Sequence, residues 1–349
     1  MQDIIPLEFY DFSNLKAFIR KHSFSNIIIL CDTNTQKYCL PKLIKASKAL
    51  QAASIICIHP GEQYKTLTTL HSIWTQLLAQ KADKNTLLIC LGGGVVCDIG
   101  GFAAATYKRG IAFVNIPTTL LAMVDAAIGG KNGIDFMGYK NILGTITQPH
   151  SVFIYEGFLK TLPAREIKSG FAEIIKAMTI EKTDMYEYLL MQKKIPITKL
   201  IAYMGAAIGI KERIVAKDPT EKGIRQALNF GHTVGHAIEA YYLGKKNELL
   251  HGEAVAIGMC VELFLGKILK LTDDKTVTQL VAFIKIHFTI PAFTAKETNA
   301  FINLMQQDKK NKDGKLTFAL IKHAGKPITN IHATTTQVQQ AFEMLSASE

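Results

Sequence analysis

The sequence predicts an α/β amino-terminal domain with a parallel sheet, followed by a mostly α-helical carboxy-terminal domain. Up to about residue 155, short β-branched runs alternate with stretches of helical period. Beyond that point helical periodicity dominates. The 349 residues are 48% apolar and 20% charged, enough for roughly two domains that need no disulfide or metal staples. The expected division is 1–155 and 156–349.

The runs at 26–31, 53–58, 86–91, 112–116 and 151–155 read as buried strands. Amphipathic stretches at 41–52 and 67–79 lie between them. Strands joined by helical crossovers pair in parallel, and such sheets bind ligands beyond the carboxyl ends of their strands. Helices are expected at 164–178, 197–215, 232–243, 252–269, 277–288 and 297–306. Late strands are expected at 315–321 and 327–332.

Lys plus Arg number 40 and Asp plus Glu 29, so the net charge is +11. Nucleic acid, an acidic membrane or a small anionic substrate would each suit that excess. The densest basic run, 308–315, is short and broken by acids, and no basic stretch is interleaved with aromatics. This disfavours nucleic acid and membrane. The six cysteines form no C-x-x-C pair and are expected to be reduced and buried. The first residues lack the basic and apolar regions of a signal peptide, and the apolar stretch 111–130 is interrupted by Pro117 and Asp125. A cytoplasmic location is expected.

Gly92-Gly93-Gly94 follows a strand and leads into a helix. Glycines there let backbone amides approach a pyrophosphate at a helix N-terminus, although a tight strand-to-helix turn would look the same. The G-x-G-x-x-G pattern fails, because Cys97 stands at its third glycine. Thr118 and Thr119 follow Pro117 at the end of the next strand, either as ligand hydroxyls or as helix caps. Gly129-Gly130-Lys131 and Gly138-Tyr139-Lys140-Asn141 place lysines beside glycines, which suits phosphate.

The strongest local signal runs from Leu228 to Glu239. His232 and His236 are four apart and share a helix face. His251 opens another helix, and Glu173 lies three residues before Lys176. Two or three imidazoles and a carboxylate suit zinc with an open position. Spacing alone leaves the ligand set open. H-E-x-x-H is absent, since residue 233 is threonine, so hydrolysis by a metal-bound water lacks its usual base.

These motifs, with Pro60 to Lys65, Arg109-Gly110, Phe158 to Thr161, Arg225 and His251-Gly252-Glu253, occur in an order similar to the 3-dehydroquinate synthases. These are members of the sugar-phosphate cyclases. The resemblance spans roughly residues 30–325. It implies a Rossmann-like NAD-binding domain, a helical domain and an active site in the cleft between them. It implies a divalent metal, zinc or cobalt, held by Glu173, His232 and His251, with His236 facing substrate. By the same resemblance Asp32, Asn34, Glu62 and Lys65 contact NAD. So do Gly93, Gly94, Val95, Asp98, Thr118, Thr119, Lys140 and Thr161. Asp125, Lys131, Asn141, Lys176, Lys211, Arg225, Asn229 and His236 line the substrate pocket. A lysine of the 308–310 segment, assigned to Lys310, joins them. Arg109 is expected to reach the pocket of the partner in a homodimer. The chain departs from the family pattern at Ala127, where serine is usual, and at Asn132, where threonine is usual.

The implied reaction converts 3-deoxy-D-arabino-heptulosonate 7-phosphate to 3-dehydroquinate and phosphate. It proceeds by transient oxidation with NAD, phosphate elimination, reduction and aldol closure, in the shikimate route to aromatic amino acids. Other sugar-phosphate cyclases, forming 2-deoxy-scyllo-inosose or a valiolone, and metal-dependent polyol dehydrogenases are the alternatives. Lys211, Arg225 and His236 together favour the substrate with a carboxylate.

Overall fold

A computed structural model describes residues 7–8, 12–137, 139–306 and 316–348. The chain forms two compact units that divide between Ile167 and Lys168.

In the first unit the strands are β1 (Leu7–Glu8), β2 (Asn26–Asp32), β3 (Ser54–Ile58), β4 (Thr86–Gly92), β5 (Ala112–Pro117), β6 (Lys131–Phe136), β7 (Tyr139–Ile146) and β8 (Val152–Phe153). Six of them form one sheet in the order β1-β8-β5-β4-β2-β3, and every pairing in it is parallel. Strand β4 is buried along its whole length, as expected of a strand covered on both faces. Ile28, Leu30, Ile56, Leu88 and Cys90 from the strands pack with Val96, Ile99 and Ala103 from the following helix. The chain moves outward from β2 to β3, then returns past β2 to β4. The strand order therefore switches between β2 and β4, where the ends of such sheets open a crevice.

Two features of this unit differ from expectation. The 41–52 stretch is split into helices Leu40–Ile44 and Lys48–Gln51. More important, β6 and β7 form a separate antiparallel hairpin, in which Gly133 faces Gly144. Glycines paired across a ladder leave no β-branched alternation to read, and no strand is expected here from the sequence. Ile134 joins the core of the sheet and anchors the hairpin.

The second unit is mainly helical. Its central helix, His251–Ile268, is buried from Ala254 to Gly266. Helices His232–Tyr242, Asp274–His287 and Thr335–Ala347 pack against it. So does the strand β9 (Leu316–His323), which pairs antiparallel with β10 (Lys326–Ala333). Among the described residues no helix is long and apolar enough to cross a membrane. All six cysteines are free, and Cys57 alone is partly exposed rather than buried.

Candidate active site

In the first unit the candidate cofactor-binding residues gather at the carboxyl ends of β2, β4 and β5. Asp32 ends β2 and caps the helix Thr33–Tyr38, its Oδ1 accepting the Thr35 amide at 2.8 Å. Asn34 follows, exposed. Beside them β4 ends at Gly92, and Gly93 starts the helix Gly94–Thr106. Among the described residues no side chain caps that helix, so its first amides point outward without an acidic partner. A Cβ on Gly93 would lie 3.1 Å from Thr119 Cγ2, and one on Gly94 would lie 3.2 Å from the Ala126 Cβ. Val95 sits in the first turn.

The two threonines differ in their hydrogen bonding. Thr119 Oγ1 accepts the Ala122 amide at 3.2 Å and is a cap. Thr118 is buried, and its hydroxyl has no hydrogen-bond partner among the described residues. A buried orphan hydroxyl beside uncapped amides fits a ligand that supplies phosphate and polar groups.

Next to these strand ends Lys65 is 3% exposed. Its Nζ lies 2.5 Å from Asp98 Oδ2 and 2.5 Å from Asn141 Oδ1. Glu62 bridges toward Lys65 at 3.9 Å and Lys140 at 3.2 Å. Burial works against the Lys65 charge, but Asp98 and Glu62 outweigh it, so its pKa is raised and the ammonium persists. Sequence reading missed Asp135. Its backbone amide donates to Lys65 O and its carboxylate accepts the Asn141 amide, both at 2.8 Å. It thereby ties the hairpin to the 62–65 turn. A lone acid in an unrecognised strand carried no signal.

Asn132 resolves the departure at its position. Its Nδ2 donates to Gly130 O at 2.9 Å and Thr147 O at 2.8 Å, closing the hairpin base beside exposed Lys131. Ala127 is a buried methyl whose carbonyl accepts from Asn115 Nδ2 at 3.2 Å. Asp125 lies in a π-helical turn, Ala122–Ala126. Thr161 ends the turn Glu156–Thr161 with its hydroxyl donating to Phe158 O at 3.2 Å. Arg109 is apart from these residues. The 13-residue helix Gly94–Thr106 carries the chain away from Gly93, about 20 Å at 1.5 Å per residue. Lys108 and Arg109 both have positive φ, at 48° and 61°, and Lys84 Nζ donates to Gly110 O at 2.9 Å. Lys310 lies outside the described residues.

In the second unit three helices meet at histidines. Glu173, on helix Ala164–Ile180, is 2% exposed and is ion-paired with Lys176. Its Oε1 lies 3.5 Å from His232 Nε2 and 3.4 Å from His251 Nε2. His232, His236 and His251 offer nitrogens that all lie within 4.8 Å of one another. Burial would lower the His251 pKa, but the Glu239 and Glu173 carboxylates push it up to about 10. The Glu173 carboxylate beside His232 and His251, with His236 in the same histidine cluster, offers nitrogen and oxygen donors that fit a divalent metal.

Glycines permit this convergence. A Cβ at Gly252 would overlap the Ser169 carbonyl, so the Glu173 and His251 helices touch backbone to backbone there. Ser169 Oγ accepts the Gly252 amide at 3.0 Å. A Cβ at Gly235 would lie 3.0 Å from Val255 Cα, which brings the His232 helix as close. Glu262, fully buried on the His251 helix, accepts the Gly231 amide at 2.6 Å and the Val234 amide at 3.3 Å. It caps the His232 helix from its neighbour, a role no local motif signals. Glu253 accepts the Leu250 amide at 2.9 Å and serves as a cap.

The turn Ile224–Asn229 leads into the His232 helix. Arg225 is 2% exposed, and its Nη1 donates to Pro219 O at 2.8 Å. Asn229 Nδ2 donates to Glu221 Oε1 at 2.9 Å. Asp218 holds this loop by accepting the Gly223 amide at 2.7 Å and the Arg225 amide at 3.0 Å. Lys211, on helix Ile197–Lys217, is buried.

The fold is that of the sugar-phosphate cyclases. A 2-epi-5-epi-valiolone synthase from Streptomyces hygroscopicus, solved with NAD+ and Zn2+, superposes with a TM-score of 0.85 at 23% identity, covering 100% of this chain and 98% of that one. A 2-deoxy-scyllo-inosose synthase complexed with carbaglucose-6-phosphate, NAD+ and Co2+ gives 0.83 at 23% identity, covering 97% and 96%. Within that class, the family models for the 3-dehydroquinate synthase N-terminal and C-terminal parts match residues 55–169 and 170–311. A 3-dehydroquinate synthase of Parabacteroides distasonis is 40% identical over 338 residues, 96% of each chain. The chain belongs to the 3-dehydroquinate synthase family.

Proposed function

We infer that the chain is an NAD- and divalent-metal-dependent carbon–oxygen lyase that converts 3-deoxy-D-arabino-heptulosonate 7-phosphate to 3-dehydroquinate and phosphate. The observation that carries this is the 40% identity to a synthase of that name over 96% of both chains. The alternative cyclases are matched at 23% identity. A polyol dehydrogenase would release its NAD as a co-substrate and would not need so many anion-binding groups.

The ring nitrogens of His232 and His251 and the Glu173 carboxylate are assigned to the metal, zinc or cobalt. Their mutual approach of 3.4–3.5 Å through Glu173 supports this. His236 is assigned to substrate. The Gly93, Gly94 and Val95 amides, Thr118 and Thr119, and the cluster of Glu62, Lys65, Asp98 and Lys140 are assigned to NAD, with Asp32, Asn34 and Thr161. The orphan Thr118 hydroxyl and the uncapped helix support that assignment. When bound, NAD accepts and returns a hydride and the metal polarises the hydroxyl that loses it. All the groups assigned to NAD except Thr161 fall within 1–155, and the metal groups fall within 156–349.

The substrate carries a carboxylate and a phosphate. Lys131, Lys211, Arg225, Arg109 and Lys310 supply charge-assisted hydrogen bonds to those ends. Lys176, held beside Glu173, and Asp125 and Asn141 position the hydroxyls. The substrate's own phosphate takes the proton beside the oxidised carbon. His236 and Asn229 orient that phosphate, so no dedicated protein base is needed. Arg109 lies far from Gly93 within its own unit, which supports action on a partner's site in a homodimer. The enzyme is assigned to the cytoplasm.

The deciding assay is phosphate release from the heptulosonate phosphate, with and without NAD+ and a chelator. Release that needs both NAD+ and metal, with no net NADH, is expected. Release without NAD+, or NADH accumulating in step with product, would overturn the assignment.

A further inference from the structure

Glu239 lies on the helix that carries His232 and His236, three residues beyond the latter, and is 7% exposed. The family resemblance assigned it no role. Its Oε2 stands 3.2 Å from Nδ1 of His251 on the crossing helix. On the far side of the same ring, Nε2 faces Glu173 Oε1 at 3.4 Å. Carboxylates from two helices thus grip the two nitrogens of one imidazole. His232 is held differently. Its Nε2 faces the same Glu173 oxygen at 3.5 Å, but its Nδ1 faces the backbone carbonyl of Phe230 at 3.1 Å.

We propose that Glu239 is a positioning residue that orients His251 and strengthens it as a metal ligand. The inference rests on the metal assignment above. A neutral imidazole carries one proton, and the nitrogen that donates a hydrogen bond leaves the other with its lone pair. Glu239 accepts from Nδ1–H and thereby turns the Nε2 lone pair toward Glu173 and His232. A carboxylate accepts more strongly than a carbonyl, so it draws the Nδ1 proton and leaves Nε2 the better donor. His251 is therefore tuned by a side chain, whereas His232 is fixed by backbone geometry. The same bond ties the His232 helix to the start of the His251 helix, at the level where the cation would sit.

The test compares the unvaried chain with Glu239→Gln, Glu239→Ala and His251→Ala. Zinc affinity is read by competition with a chromophoric chelator, and the Co2+-loaded chains by visible absorption. Glu239→Gln is expected to weaken zinc 10- to 100-fold and to shift the Co2+ bands, leaving NAD+ binding by calorimetry unchanged. His251→Ala is expected to lose more. A selectively 15N-histidine-labelled, zinc-loaded unvaried chain is expected to show His251 protonated at Nδ1 and metallated at Nε2, which decides the matter should the variants misfold. Unchanged zinc affinity and Co2+ absorption in both Glu239 variants would overturn the role of Glu239, as would metal on Nδ1. If the unvaried chain binds no zinc, or His251→Ala binds it equally well, the metal assignment itself fails and Glu239 loses its role with it.

Discussion

Replacing Gly252 by alanine tests how the histidine site is assembled. The added Cβ would overlap the Ser169 carbonyl oxygen and lie 2.8 Å from Ser169 Cα. Carbon atoms rest about 3.5–4.0 Å apart, so the two helices must part by about 1 Å. Glu173 lies one turn along the Ser169 helix and His251 is the neighbour of Gly252, so their 3.4 Å approach opens by a similar amount. Metal sites tolerate about 0.2 Å in ligand distance, and about 1 Å therefore takes one ligand out of reach. Zinc affinity is expected to fall by at least about 100-fold, beyond the usual cost of losing an outer-shell contact. Overpacking also costs about 1–3 kcal/mol of stability. Gly205→Ala is the control: it lies inside the helix Ile197–Lys217, and its Cβ would meet nothing within 4 Å. That change is expected to stabilise by about 0.5–1 kcal/mol and leave zinc binding alone. Chelator competition and thermal unfolding read both variants. Equal zinc affinity in the two, with melting shifts of the same sign, would refute the idea that the Gly252–Ser169 approach sets the ligand distances.

Glu262→Ala strips an acceptor from the buried Gly231 and Val234 amides, and each unsatisfied donor is expected to cost about 1–3 kcal/mol in denaturant unfolding. Gly94→Val puts its side chain against Ala126, where a single Cβ already approaches to 3.2 Å, and is expected to abolish the calorimetric signal of NAD+ binding. Arg109→Ala and Lys131→Ala are each expected to lower kcat/KM by about one to two orders of magnitude, the worth of one charge-assisted contact. Mixing the two weakened chains is expected to raise activity above that of either alone, through hybrid dimers with one whole site. Subunit exchange without recovered activity would show that Arg109 does not work in trans.

Much of the molecule was legible along the chain because helix and strand periods are local. The 67–79 pattern is the helix Leu67–Ala79, and the 112–116 run lies within β5. The alternation of strands and helices was enough to foresee a parallel sheet, and Gly92-Gly93-Gly94 lies where its strand order switches. The β6–β7 hairpin escaped notice because facing glycines erase the alternation that marks a strand. With it went Asp135, whose meaning is a bond to a residue 70 positions earlier in the turn that holds Lys65.

The histidines show the same divide. Four-residue spacing put His232 and His236 on one helical face, and nothing more could be read from it. Their distance to Glu173 depends on three helices crossing where Gly235 and Gly252 let backbones touch. Glu239 and Glu262 are ordinary acids in helical sequence until those crossings set one beside His251 Nδ1 and the other at the start of the His232 helix. Periodicity reports which face a residue occupies; which face of another helix it meets is set by packing between segments far apart in the chain, and that is where this site's chemistry is assembled.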